Sequence, residues 1–180
     1  MAFSDPIITP HAARMVGCLA TQVAQLPKAP KHVGLRPGAQ APIMLSTTRD
    51  ECCEGLAWVR ATKVVPSSTN NWPSADVTPQ GNCGTKLMAV TLELGIVRCA
   101  PTKPAQQMTS VEEWNAVAES TYLDYIAMER AICCFVDGFR WLYLTGAWTP
   151  LGVDGNCVGG TMDFTYGIPP CACTDVESPS

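Results

Sequence analysis

Basic side chains are scarce in this 180-residue chain, with 12 Lys and Arg, scattered singly, against 16 Asp and Glu and a formal net charge of -4. No basic stripe exists to follow a phosphate backbone, which disfavours nucleic-acid binding. Histidine is scarcer still: His11 and His32 are the only two, one near an expected helix start and one in a proline-rich stretch, and both read as ordinary surface residues. G-x-S-x-G, C-x2-C and glycine-rich phosphate fingerprints are all missing. The expectation is therefore a chain with no catalytic residues, no metal site and no bound cofactor. Long apolar runs are missing too, well short of the roughly 18 to 20 residues that span a bilayer. The first residues, MAFSDPIITPHAAR, have no basic region followed by an apolar one. These absences predict a soluble chain made in the cytosol, without membrane contact.

What is present is a hydrophobic content of 47%, enough for one compact domain over residues 1 to 180 with a core of its own. Thr9 and Pro10 read as a helix start, with Met15, Val16, Leu19, Val23 and Leu26 on one face and Pro27 as the stop. Residues 27 to 50 read as an extended arm. Residues 54 to 65 alternate with weak sidedness, whereas Met88, Val90, Leu92, Leu94 and Ile96 form a clean apolar face. Ser110 and Glu113 match the capping box of a helix running to about Phe135, striped by Val111, Trp114, Ala118, Tyr122, Tyr125, Met128 and Ile132. Asp137 and Gly138 supply its stop. WLYLTGAWTP and VGGTMDFTYGI are strand-like, split by a turn-rich LGVDGNC. The order predicts an α+β fold: a mostly antiparallel sheet of two hairpins packed with two helices, and long partner-contacting loops.

Ten cysteines are a high content, yet below that of a small disulfide scaffold, and cytosolic synthesis predicts reduced thiols. Adjacent Cys52 and Cys53 cannot bridge each other, because their Cα atoms are only about 3.8 Å apart. If the strands around residues 54 to 65 and 87 to 98 pair antiparallel, Cys53 falls almost opposite Cys99. A bridge there is geometrically allowed, and buried reduced thiols are the favoured alternative. Asp124 and Glu129 read as a solvated helix face, and Gly159 and Gly160 as a close backbone approach.

With chemistry unsupported, the informative residues are those aimed at a partner. The loop 66 to 85 is far longer than a hairpin turn of about 2 to 5 residues and carries Asn70, Asn71, Trp72 and Pro73 among serines and prolines. These four, with Arg36 of the arm and Arg60, are the interface candidates; the arm 27 to 50 and the tail 168 to 180 are further contact segments.

The blocks CCEGLAWVRATKVVPS, VTLELGIVRCAPT and GAWTPLGVDGNCVGGTMDFTY and the terminal PCACT resemble the head-to-tail connector proteins, commonly assigned as tail terminators, of long-tailed (siphovirus) phages that infect actinobacteria. The resemblance spans most of residues 50 to 174; the long loop 66 to 85 departs from the pattern. It implies an α+β virion subunit, assembled in the host cytoplasm, that forms a ring, usually of six. Such a ring caps the tail tube and joins it to the neck. The implied partners are further copies of the chain, the tail tube protein and a neck stopper or adaptor, with DNA passing through the lumen without specific binding. A family of this kind has no catalytic residues. The alternatives are another neck protein, adaptor or stopper, and a disulfide-stapled binding module.

Overall fold

Proline at the start of the first helix is tolerated because the first turn's N–H groups have no intrahelical partner. In the computed structural model, which describes residues 8–37, 54–75, 87–101, 103, 108–140, 142–154 and 157–168, helix α1 spans Ile8–Val23. Pro10 lies in its first turn. Ala12, Met15, Cys18, Leu19 and Val23 are its buried residues, so the expected face is in place, with Val16 and Leu26 partly covered at its margin.

The arm contains a strand that was not expected. Strand β1, His32–Leu35, pairs in parallel with β2, Leu56–Ser67, from His32 opposite Leu56 to Leu35 opposite Val59. Four residues between prolines are too few for a period-two pattern to show. Strands β3, Leu87–Cys99, β4, Tyr143–Asp154, and β5, Cys157–Ile168, complete a five-stranded sheet in the order β1-β2-β3-β5-β4. Three neighbour pairs are antiparallel and one is parallel. The chain is α+β with a mixed sheet.

Strands β2 and β3 pair with Leu56 opposite Val97 and Val59 opposite Leu94, one residue out from the register read off the sequence. An irregularity between Ala61 and Lys63 shifts the pairing again. Ala57, Val59, Val90, Leu92, Leu94, Ile96, Met162, Phe164 and Tyr166 form the main core with both helices. Leu56, Trp58, Val97 and Cys157 form a second, smaller cluster. The first half of β2 is thus buried on both faces, which explains its weak sidedness. Past Val59, β1 no longer covers β2, so Pro66 is accommodated where no ladder bond is needed.

Two close approaches use glycine. A Cβ on Gly95 would overlap the Trp58 ring, and one on Gly159 would strike the Ile96 carbonyl oxygen and Val97 Cα. The expected close approach at Gly159 and Gly160 is present, with the Trp148 indole lying where a Gly160 side chain would go.

Helix α2, Val111–Val136, begins with the expected capping box. The Glu113 N–H donates to Ser110 Oγ at 3.2 Å, and the Ser110 N–H donates to Glu113 Oε2 at 2.8 Å. It ends at Asp137, followed by Gly138 at φ 71°, the left-handed conformation glycine adopts without strain. Its buried residues are Thr121, Asp124, Ala127, Met128, Ala131, Ile132 and Phe135. The expected stripe therefore holds only in the C-terminal half. Toward the N-terminus, Val111, Trp114 and Tyr122 face outward.

The helices are also joined covalently. Cys18 on α1 and Cys134 on α2 form a disulfide with Cα atoms 5.8 Å apart, and Cys99 and Cys157 are each in a disulfide bond as well. Reduced thiols were expected; among the described cysteines only Cys133 is free. Cys53 lies outside the described residues. No helix of the described residues is long and apolar enough to cross a membrane.

Candidate interaction surfaces

An amphipathic helix on a sheet needs one apolar stripe; α2 has more. Beyond its buried face, Tyr122 is 59% and Val111 69% exposed, and Trp114, Leu123 and Ile126 are exposed as well. The Tyr122 and Tyr125 rings pack around Trp148 of β4, with centroids 6.5 and 6.0 Å away. This ties the outward stripe to the neighbouring edge strand. There Leu142, Tyr143, Leu144 and Val153 are also exposed. A long, apolar edge strand beside an apolar helix face is a surface that pairs with something. The sequence did signal it: tyrosine and tryptophan in the stripe suit a half-wet interface better than a core.

The opposite flank is built from β1 and the open part of β2. Leu35 is 43% and Val64 40% exposed, with Lys63 exposed and Arg36 half-buried beside them in the chain. The Arg36 N–H continues the ladder by donating to the Val59 carbonyl at 3.0 Å. Lys31 and His32 both hold Glu54, at 2.9 and 2.8 Å, and these two bonds keep the Glu54 carboxyl below its usual range.

Arg60, expected at a partner surface, turns inward instead. It is 6% exposed and grips Glu93 with Nε and Nη2, both at 2.7 Å, while Trp58 Nε1 donates to the same carboxylate at 3.0 Å. The register explains this, since it sets Arg60, Glu93 and Asp163 side by side on three adjacent strands. A planar guanidinium matches a carboxylate with two parallel bonds. Asp163 gets the poorer place: burial and then the Glu93 charge push its carboxyl up, with Arg60 opposing.

A group whose pKa is raised by folding favours the native state below its unfolded value, and that contribution is lost as pH rises through the folded value. Asp163→Asn removes one of two like charges on adjacent strands, so it is expected to stabilise the chain by up to about 1 kcal/mol at neutral pH. Urea unfolding checks this: the gain should vanish below about pH 4, where the carboxyl is protonated in both states.

Two further expectations are corrected nearby. Asp124, read as part of a solvated face, is fully buried and accepts from Arg98 Nε and Nη2 at 2.7 and 2.6 Å; Glu129 is exposed. Burial pushes the Asp124 carboxyl up, against the pull of Arg98. Arg98 also donates to the Lys28 carbonyl, beside a cleft of about 200 Å³ lined by Lys28, Gly55, Arg98, Ala116 and Ser120. His11 is half-buried against Tyr166, Phe139 and Phe135, at 5.1, 6.0 and 6.1 Å, and burial followed by the Arg14 charge lowers its pKa.

The loop after β2 is described to residue 75. Trp72 and Asn71 donate their backbone N–H groups to the Ser68 carbonyl at 2.8 and 3.1 Å, and Ser67 Oγ closes the turn on the Ser74 carbonyl at 2.7 Å. Trp72 is half-buried on its own sheet, its Nε1 enclosed and 3.1 Å from where a Gly167 Cβ would stand. Asn70 and Asn71 are exposed and Pro73 is half-buried. The six interface candidates are thus not one patch: four share this loop, Arg36 lies on the β1 flank and Arg60 is internal. Among the described residues no group of three or more His, Cys, Asp or Glu is placed to hold a metal.

No protein-family model matches the chain, and no curated protein matches it.

Proposed function

We propose that the chain is a structural, non-enzymatic subunit of a phage head–tail junction, a tail-terminator-like protein whose copies close into a ring, usually of six. The ring caps the tail tube and meets a neck stopper or adaptor, DNA passes through its lumen, and the protein resides in the virion after assembly in the host cytoplasm. The observation that carries this reading is the outward apolar stripe of α2 beside the open edge strand β4. A lone subunit leaves that surface in water, and a heterologous contact between copies closes a ring when the rotation permits. The block resemblance supplies the virion context, and the loop bearing Asn70 and Asn71 is the candidate contact to tube or neck.

Light scattering and negative-stain images of the purified chain, alone and mixed with tail tubes, test it. Rings, or ring-sized density on tube ends, are expected. A chain that stays monomeric in both cases overturns the reading.

A second reading, a disulfide-stapled binding module, is favoured by the Cys18–Cys134 bridge and the bonded states of Cys99 and Cys157. Counting free thiols on freshly made, denatured protein separates the two. The module requires few; a subunit made in the cytosol should show them free at first, with Cys18, Cys134, Cys99 and Cys157 becoming bonded only on later oxidation.

A further inference from the structure

The two cysteines that join the helices are unequally placed. Cys18 on α1 is 6% exposed and belongs to the same core as Met15, Leu19, Met128 and Ile132, whereas Cys134 on α2, its bonded partner, is an exposed residue. A reagent in water therefore meets the bridge at Cys134. Arg130, also exposed, is four residues earlier on the same helix, close enough for its charge to favour a thiolate at Cys134. The helix contact around the bridge does not depend on sulfur. One turn away on α1, Arg14 donates from Nη2 to the Asp137 carbonyl at 2.7 Å and lies over the Phe135 ring at 5.4 Å, and His11 packs against the same ring. These contacts set α1 against α2 before any bond between the cysteines exists.

We infer that the Cys18–Cys134 bridge is a redox-sensitive lock that closes in the already folded chain and is worked from the α2 side. The co-reactant is a small-molecule disulfide, RSSR. The Cys134 thiolate attacks one of its sulfurs, a mixed disulfide forms on Cys134 and RS⁻ leaves. The Cys18 thiol, held opposite by the helix packing, then loses its proton and attacks Cys134 Sγ; the protein bridge forms and the second RS⁻ leaves. Two cysteine thiols are oxidised and one RSSR is reduced to two thiols. The opposite order is blocked, because Cys18 would have to carry the R group inside a packed core. Cys133, exposed and free, can take R as well, but a bridge to its neighbour Cys134 is too short to form. Packing, rather than the number of exposed thiols, decides which bond results. The inference stands on the two helices and needs neither the ring nor the module reading. A chain made under reducing conditions folds first and gains the lock when it meets an oxidant.

Oxidised glutathione is the probe, added to the reduced full-length chain carrying Cys133→Ser so that Cys134 alone reports from α2. Quenching with acid and digesting with trypsin places Cys18 on the peptide 15–28 and Cys134 on the peptide 131–140. Without denaturant, glutathione should appear first on 131–140 and not on 15–28, and the bridged pair of peptides should then replace it. With Cys18→Ala added, Cys134 should keep its glutathione. With Cys134→Ala added instead, Cys18 should react at least about ten-fold more slowly than Cys134 does, and urea should abolish the difference.

Equal reactivity of Cys18 and Cys134 without denaturant overturns the inference, whether the reduced chain has failed to fold or Cys18 is open to solvent. So does glutathione trapped first on 15–28, or a bridge that forms only in urea. If either alanine variant fails to fold, the order of events in the chain that keeps both Cys18 and Cys134 decides.

Discussion

Arg98→Leu is expected to destabilise the chain by about 3 to 5 kcal/mol at neutral pH, the usual cost of removing one partner from a buried ion pair. The size follows from where the other partner is. Asp124 is fully buried on the inner face of α2, and it accepts both bonds of the Arg98 fork. Without that fork an ionised carboxylate has neither water nor a counter-charge. Its escape is protonation, so the cost depends on pH with a definite sign. Burial already raises the Asp124 carboxyl and Arg98 opposes the rise, so removing Arg98 raises it further above the unfolded value. The variant should then be closest to wild type in acid and lose ground as pH climbs through the raised value. Equilibrium unfolding in urea at several pH values reads this directly. Arg98→Leu combined with Asp124→Leu should recover most of the loss, because replacing a whole buried pair by apolar side chains is often neutral. A pH-independent loss in the single variant would instead assign the cost to the lost bond with the Lys28 carbonyl.

The ion pairs mark where the sequence stops being legible. Ser110 and Glu113 are three residues apart and act on each other's backbone, so the start of α2 could be read from a four-residue window. The face of β3 was equally plain, because Val90, Leu92, Leu94 and Ile96 are all covered on one side. Strand β1 was hidden because HVGL is held by β2 rather than by any preference of its own. The β2–β3 register came out one residue off, and a one-residue slip in a strand exchanges its two faces. That slip matters for Arg60, whose inward turn depends on Glu93 standing opposite it. The candidate surface was half legible. Val111, Trp114 and Tyr122 were recognised as an apolar stripe, but periodicity says where apolar side chains lie and not what covers them. Leu35 and Val64, single apolar residues in strands, are left exposed because β1 ends at Leu35 and leaves the rest of β2 open.

The Cys18–Cys134 bridge was beyond sequence reading for a related reason, and its removal should have an effect as large as that of Arg98. Its two ends are 116 residues apart, so neither helix hints at the other. The same separation makes the bridge effective: closing a loop of that length removes unfolded-state entropy equivalent to about 5 kcal/mol in the chain-entropy limit, with about 2 to 5 kcal/mol the usual range for a native disulfide. The folded state loses little when the bond is cut. Cys18 is buried in the packed contact between α1 and α2, with Met15, Leu19, Met128 and Ile132 in the same core, and that packing persists without sulfur. A chain with Cys18→Ala and Cys134→Ala should therefore fold to the same structure, less stable by about 2 to 5 kcal/mol. Its unfolding rate should rise less than its folding rate falls, if the bond acts mainly by restricting the unfolded chain. Stopped-flow folding and unfolding of the oxidised wild type and the double variant measure both arms. An effect confined to unfolding would mean that the bridge holds native packing together and that the core between the helices is too weak to do so alone.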